Sequence, residues 1–182
     1  DLTVVNFIVR NGLTVLLIAA AVVFQPELRR GLDRLGRTGI REWLKRPAYS
    51  GEVIEAVTAS AAQLSAAKHG ALMVIERETG LQDVIESGVL VDARVTPELL
   101  EGIFFPNSPL HDMAVVIRDD RVVAARCELP LAHELPRSTR KLGTRHRAAI
   151  GITEQTDALS IVVSEETGGM SVAYGGKLTH VR

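Results

Sequence analysis

Cysteine is nearly absent: Cys127 stands alone among 182 residues. One thiol can neither close an internal disulfide nor build a thiolate zinc site, and such a chain fits a reducing compartment. Aromatic side chains are scarce as well, with four Phe, two Tyr and one Trp. The core must therefore come from Val, Ile, Leu and Ala, and there is no material for a broad base-stacking platform. Charge of one sign is not in excess either: 21 basic against 22 acidic residues leave −1, which argues against a polyanion binder and for no nucleic-acid partner. Several enzyme motifs are missing. No Gly-x-Ser-x-Gly elbow and no HExxH helix occur. Gly175, Gly176 and Lys177 resemble the end of a P-loop, but Leu178 stands where Ser or Thr is required and no helix follows. No internal repeat is found.

What is present is ordinary globular composition, 46% apolar and 24% charged, enough for one compact domain and an appendage of about thirty residues. The appendage is N-terminal. From Leu2 to Phe24 the one charged residue is Arg10, and 23 residues would span about 34 Å as a helix, enough for a bilayer core of about 30 Å. Arg10 stands against this, costing roughly 2.5 to 3.5 kcal/mol on insertion, and a buried or interfacial helix is the alternative. From Gln25 to Pro47 there are seven basic and three acidic residues, whereas Ala48 to Arg182 carries 13 basic and 18 acidic ones. Positive charge beside an apolar run is the positive-inside signature, which would leave the rest of the chain in the cytoplasm. Leu28, Leu32 and Leu35 make the basic segment an amphipathic helix at the headgroups or a solvated surface helix. The expected organisation is 1–24 membrane-spanning, contacting lipid; 25–50 juxtamembrane helix and linker; 51–182 body.

Within the body, Glu52 to His69 shows helical spacing with Gly70 as C-cap. Ala71 to Glu76 reads as a buried strand, and Pro97 to Phe105 as a helix with Pro in its first turn. Met113 to Ile117 and Val122 to Arg126 read as a hairpin turning at Asp119 and Asp120. Thr144 can cap a helix over Arg145 to Glu154. Leu159 to Ser164 and Gly169 to Tyr174 are strands joined by a turn at Glu166 to Gly168, and Lys177 to His180 adds another. The fold class is α/β, a mixed central β-sheet surrounded by helices.

Three polar clusters abut apolar strands. In Asn107-Ser108-Pro109-Leu110-His111-Asp112, a His and a carboxylate at a strand mouth can ligate a divalent metal and orient a hydroxyl; the other reading is a turn with Asp112 capping backbone amides. In Gly143-Thr144-Arg145-His146-Arg147, two guanidinium groups, a hydroxyl and helix N-terminal amides can cradle phosphate; the other reading is a solvated basic turn. In Ser164-Glu165-Glu166-Thr167-Gly168-Gly169, adjacent carboxylates fit an exposed turn, or one of them beside His111 completes a metal site.

Taken with Phe24 to Arg30 after an apolar helix, these segments resemble the membrane-anchored diadenylate cyclases of bacteria, over essentially the whole chain. The pair Gly-Thr-Arg-His-Arg-Ala-Ala and Val-Val-Ser-Glu-Glu-Thr-Gly-Gly carries the resemblance. It implies the family's catalytic fold and the condensation of two ATP into cyclic di-AMP with release of two pyrophosphates, across a homodimer facing its two sites together. It implies Mg or Mn held by His111, Asp112 and Glu166, and Asp112, Arg145, His146 and Arg147 as catalytic residues. ATP would lie against Met113, Ala114, Leu129, Thr144, Arg145, Arg147, Ser164 and Glu165. Leu2 to Phe24 would be the last of three transmembrane helices in the cell membrane, a setting for regulatory membrane proteins. Two positions depart from the family. Its Asp-Gly-Ala stands here as Asp112-Met113-Ala114, and Glu128 occupies a place where relatives often carry an aromatic. Met113 is the feature behind the alternative, a catalytically impaired sensor of ATP or cyclic dinucleotide.

Overall fold

The computed structural model of the protein describes residues 50–132 and 143–181. The membrane-helix and juxtamembrane expectations for residues 1–49 lie outside them, and the chain divides at Pro47 and Ala48 into two units, the second holding every described residue. Among the described residues, no helix is long and apolar enough to cross a membrane.

Eleven elements follow one another in these residues. They are α1 Gly51–Ala67, β1 Ala71–Ile75, α2 Gln82–Glu86, β2 Val89–Arg94, α3 Pro97–Phe104, β3 Ala114–Arg118, β4 Arg121–Cys127, α4 Thr144–Gln155, β5 Leu159–Val163, β6 Met170–Tyr174 and β7 Lys177–Val181. The strands form one sheet in the order β2-β4-β3-β1-β5-β6-β7. β1 and β3 are parallel, Met73 opposite Val115, and every other pair is antiparallel. The sheet is mixed, as expected.

Side-chain alternation at period two decides the layers. Met73, Val115, Ile117 and Val163 point to one face, where Val53, Val57, Ala61 and Leu64 of α1 and Leu100, Ile103 and Phe104 of α3 cover them. Leu72, Val74, Val116 and Val162 point to the other, under Leu81, Ile85 of α2 and Ala148, Ala149 and Ile152 of α4. Covered on both faces, β1 reads as an unbroken apolar run, Ala-Leu-Met-Val-Ile, with every residue buried. The two rims are exposed along most of β2 and β7.

Several local expectations are corrected. α1 ends at Lys68, which takes the left-handed conformation at φ 55° and whose N–H bonds to Ser65 O, so Gly70 is not its cap. Gly70 does other work, described below. α4 starts at Thr144 itself; its N-cap is Gly143, without a capping side chain. Met113 does not open a strand, because its φ of 66° departs from extended backbone; β3 begins at Ala114. α2 and β2 have no counterpart in the sequence reading. Gly175 and Gly176, at φ 55° and 73°, form the two-residue turn between β6 and β7, where only glycine tolerates both angles easily, and the P-loop resemblance ends there.

Candidate active site

Strand direction gathers the three polar clusters at one end of the sheet. β1 and β3 start there, β4 and β5 finish there, and α4 presents its N-terminus, so His69–Gly70, His111–Met113, Glu128–Leu129, Gly143–Arg147 and Ser164–Gly169 all leave the sheet at that end.

His111 and Asp112 sit before β3. Nδ1 of His111 lies 2.5 Å from the Ser108 carbonyl, which can only accept, so Nδ1 carries a proton. Nε2 lies 3.5 Å from Oδ1 of Asp112. Two electron-pair donors at that spacing suit a shared cation: ligand distances of about 2.0–2.2 Å allow it. The hydrogen bond on Nδ1 is the outer support that metal-ligating His residues use. The segment is a turn, with Ser108 N bonded to Phe105 O and His111 N to Ser108 O, but among the described residues no backbone amide donates to Asp112, whose carboxylate is 63% exposed. Among the described residues no group of three His, Cys, Asp or Glu side chains could hold a metal, so Glu166 does not join His111 and Asp112 in a ready-made three-ligand site. A divalent cation on this pair would draw its remaining ligands from water and from substrate phosphates, as Mg sites do.

The basic and acidic clusters do meet. Arg145 Nη1 lies 2.5 Å from Glu165 Oε2. Gly70 makes room for them, since a Cβ there would stand 2.7 Å from that nitrogen and 2.9 Å from that oxygen. The Nε atoms of both Arg145 and Arg147 are buried with no hydrogen-bond partner. An unpaired buried donor costs about 1–3 kcal/mol, more when charged, so this is a place where acceptors are missing. Both arginine side chains are half-buried rather than fully solvated, while Gly143 and Thr144 beside them are exposed.

His146 points inward and is 8% exposed. Burial first, then the nearby His180 and Arg145, push its pKa below 6.5, against the opposing pull of Glu166. At neutral pH the ring is therefore uncharged. Ser164 is partly committed to its own turn, accepting from Thr167 N at 3.3 Å. Thr144 is exposed on the first turn of α4. Ala114 is buried, and Leu129 is half-buried against the core on the α4 side. Glu128, exposed, takes Ser87 Oγ as acceptor for its N–H at 2.9 Å. Met113, 42% exposed and left-handed, leaves a flexible apolar side chain at the mouth between Asp112 and Ala114. Cys127 is buried beside Ala114, and burial raises its thiol to about 11, so it supplies no nucleophile.

Gly70 is the site residue that sequence reasoning missed. A helix followed by glycine reads as a cap, and the close approach of Arg145 is fixed by tertiary packing.

Comparison with known proteins gives this geometry its relatives. Residues 58–178 match the model of a family described as DisA bacterial checkpoint controller nucleotide-binding. Over 179 residues, 97% of the chain, the protein is 45% identical to the cyclic di-AMP synthase CdaA of Bacillus subtilis, and it spans 65% of that relative's length. Its fold is similar to the crystal structure of DacA from Staphylococcus aureus, at TM-score 0.68 and 46% identity, covering 70% of this chain and 85% of that one. A hypothetical membrane spanning protein from Bacillus cereus gives TM-score 0.69 at 36% identity, covering 96% of this chain and 89% of that one. With a matching core fold, unbroken coverage of the three clusters and this level of identity, the chain belongs to the DisA bacterial checkpoint controller nucleotide-binding family.

Proposed function

We propose that the protein is a diadenylate cyclase, joining two ATP molecules into cyclic di-AMP and releasing two pyrophosphates. The observation that carries this reading is the pair of buried, unpartnered Nε donors of Arg145 and Arg147 at the N-terminus of α4. Two guanidinium groups short of acceptors beside free helix amides are complementary to a triphosphate. Relatives called cyclic di-AMP synthase and diadenylate cyclase support the assignment.

In this reading Arg145 and Arg147, with Thr144 and Ser164, hold the triphosphate and stabilise charge that builds on the departing pyrophosphate. Arg145 must turn from Glu165 toward phosphate, or share the two. His146, uncharged and buried, lies between the two arginines in sequence at the base of the cradle. Leu129 packs on the base, with Met113 and Ala114 at the mouth. His111 and Asp112 are the residues that would hold Mg or Mn, with Glu166 as the proposed further ligand; the cation, when bound, lowers the pKa of the ribose 3′-hydroxyl. Asp112 orients that hydroxyl toward the α-phosphorus of an ATP on a facing copy, so a homodimer is required. The proposal includes a membrane tether over residues 2–24 with the body on the cytoplasmic side, as its charge asymmetry suggests.

Incubation of the full chain with ATP and Mn, followed by mass detection, should yield cyclic di-AMP. A second reading rests on Met113, whose exposed side chain stands between Asp112 and Ala114: a binding protein that retains ATP or cyclic dinucleotide without turnover. Tight nucleotide binding with no product after prolonged incubation would select it.

A further inference from the structure

The turn carrying Glu165 and Glu166 is tied up within itself. Gly168 N donates to Ser164 O, Thr167 N to Ser164 Oγ, Gly169 N to Thr167 Oγ1, and Ser164 N to Gly169 O. Four bonds over six residues close the β5–β6 turn on itself. Besides β5 and β6, which it joins, and Glu165's own contact with Arg145, one bond ties the turn to another element: Ser65 Oγ, on the last turn of α1, donates to Gly168 O at 2.6 Å. The approach is close on both sides. Gly168 has φ 75°, and a Cβ on it would stand 2.6 Å from Ser65 O. Ser65 O in turn accepts from Lys68 N, which closes α1. The same corner then delivers Gly70, whose missing Cβ admits Arg145 and Glu165 to each other.

We propose that Ser65 is a positioning residue for this site. Through Gly168 it docks the acidic turn on α1, so that Glu165 meets Arg145, and Glu166, the further cation ligand proposed above, is carried on the same turn. This rests on the functional reading given above, but the latch itself is a property of the nucleotide-free fold. Ser65 touches no part of the cradle; it acts on the turn.

The test uses the full chain and three proteins: wild type, Ser65→Ala and Ser65→Thr. Amide hydrogen exchange without nucleotide comes first. Thr167, Gly168 and Gly169 should exchange about two- to tenfold faster in Ser65→Ala, the effect of one neutral hydrogen bond, and at wild-type rates in Ser65→Thr, which keeps the hydroxyl. β1 and β3 should be unchanged in both. Calorimetry comes second: Ser65→Ala should weaken ATP binding in the presence of Mn about two- to tenfold, change binding without Mn less than twofold, and be restored by Thr. Equal exchange in Ser65→Ala and wild type, or a loss that Thr does not restore, overturns the proposal. If wild type binds no ATP at all, the functional reading fails, while the latch is still decided by the exchange rates.

Discussion

The two ends of the sheet are built from similar polar residues and use them in opposite ways. Where β1 and β3 finish, Glu76 is buried, and both of its oxygens accept from Arg118, at 2.8 Å each, while Oε2 also takes the Leu81 amide at 2.9 Å. Nearby, Asp157 accepts from Glu78 N and Thr79 N, both at 2.9 Å. Burial alone would raise its carboxyl, but those amides and the Thr79 hydroxyl outweigh it and hold the pKa below the usual 3.8. Where β1 and β3 begin, two guanidinium groups keep buried donors without partners, His111 Nε2 stands 3.5 Å from Asp112 Oδ1, and Met113 sits at φ 66°. The first end spends its polar groups on holding the fold. The second, beside its Arg145–Glu165 pair, leaves buried donors unpaired, and residues held in costly arrangements gather at functional sites.

The comparison can be broken most sharply at the unsatisfied end. Asp112→Asn should abolish turnover while shifting stability by about 0.5 kcal/mol or less, as for other exposed positions. Arg145→Ala and Arg147→Ala should each weaken ATP binding about ten- to a hundredfold, the effect of a charge-assisted contact of roughly 1.5–3 kcal/mol. Because each change also removes a buried unpartnered donor, neither should cost more than about 1 kcal/mol of stability, the range of a half-exposed ion pair such as Arg145–Glu165. Calorimetry and urea titration on the same samples check the split. A variant that loses stability in step with affinity would show that these arginines hold the fold after all.

At the satisfied end the same kind of change should do the reverse. Glu76→Ala removes the carboxylate that Arg118 and the buried Leu81 amide use, and because Arg118 is partly exposed the loss is about 1–3 kcal/mol. Urea unfolding should register that loss in full, and ATP affinity under folding conditions should stay within a factor of two.

A smaller effect, of opposite sign, belongs to Met113. A left-handed L-residue costs about 1–2 kcal/mol, offset by about 0.4–1 kcal/mol of extra unfolded-state entropy when glycine replaces it. Met113→Gly should thus stabilise the protein by about 0.5–1 kcal/mol and open the mouth beside Asp112. A lower KM for ATP would mark the methionine as a restriction on entry; an unchanged KM would mean that it turns aside.

Which of these contrasts can be read in the sequence depends on how local their causes are. Ala71–Ile75 announces a doubly covered strand by composition, and β3 through β7 follow from alternation and turn residues. β2 does not, because its exposed edge alternates weakly and is broken by a bulge at Asp92, φ 46°. α2 spans five residues and gives no helical period. The three clusters were legible as polar interruptions of apolar runs. Their meeting was legible for Arg145 and Glu165 only as family resemblance, since twenty residues separate them in the chain. Gly70, Ser65 and the inward turn of His146 depend on packing between distant elements, and no spacing in the sequence records them.

The smallest effect expected is in the pH dependence of stability, and it isolates His146. Burial, His180 and Arg145 hold its folded pKa below the unfolded 6.5. Between the two values the unfolded chain binds more protons than the folded one, so stability rises with pH across that window. The stabilisation is complete above 6.5 and is lost as pH falls through it. Asp157, depressed from 3.8, contributes its own loss only at far lower pH, so it leaves the range from 7.5 to 5.5 undisturbed. The urea midpoint of wild type should therefore drop between those two values, and His146→Gln, which cannot be charged, should flatten the slope. ATP adds a sign of its own. A triphosphate held by Arg145 and Arg147 brings negative charge beside the ring and favours its protonated form, so saturating nucleotide should shrink the wild-type slope and leave the His146→Gln slope as it was. A slope that survives in His146→Gln would assign the titration to another group and leave His146 as packing beneath the cradle.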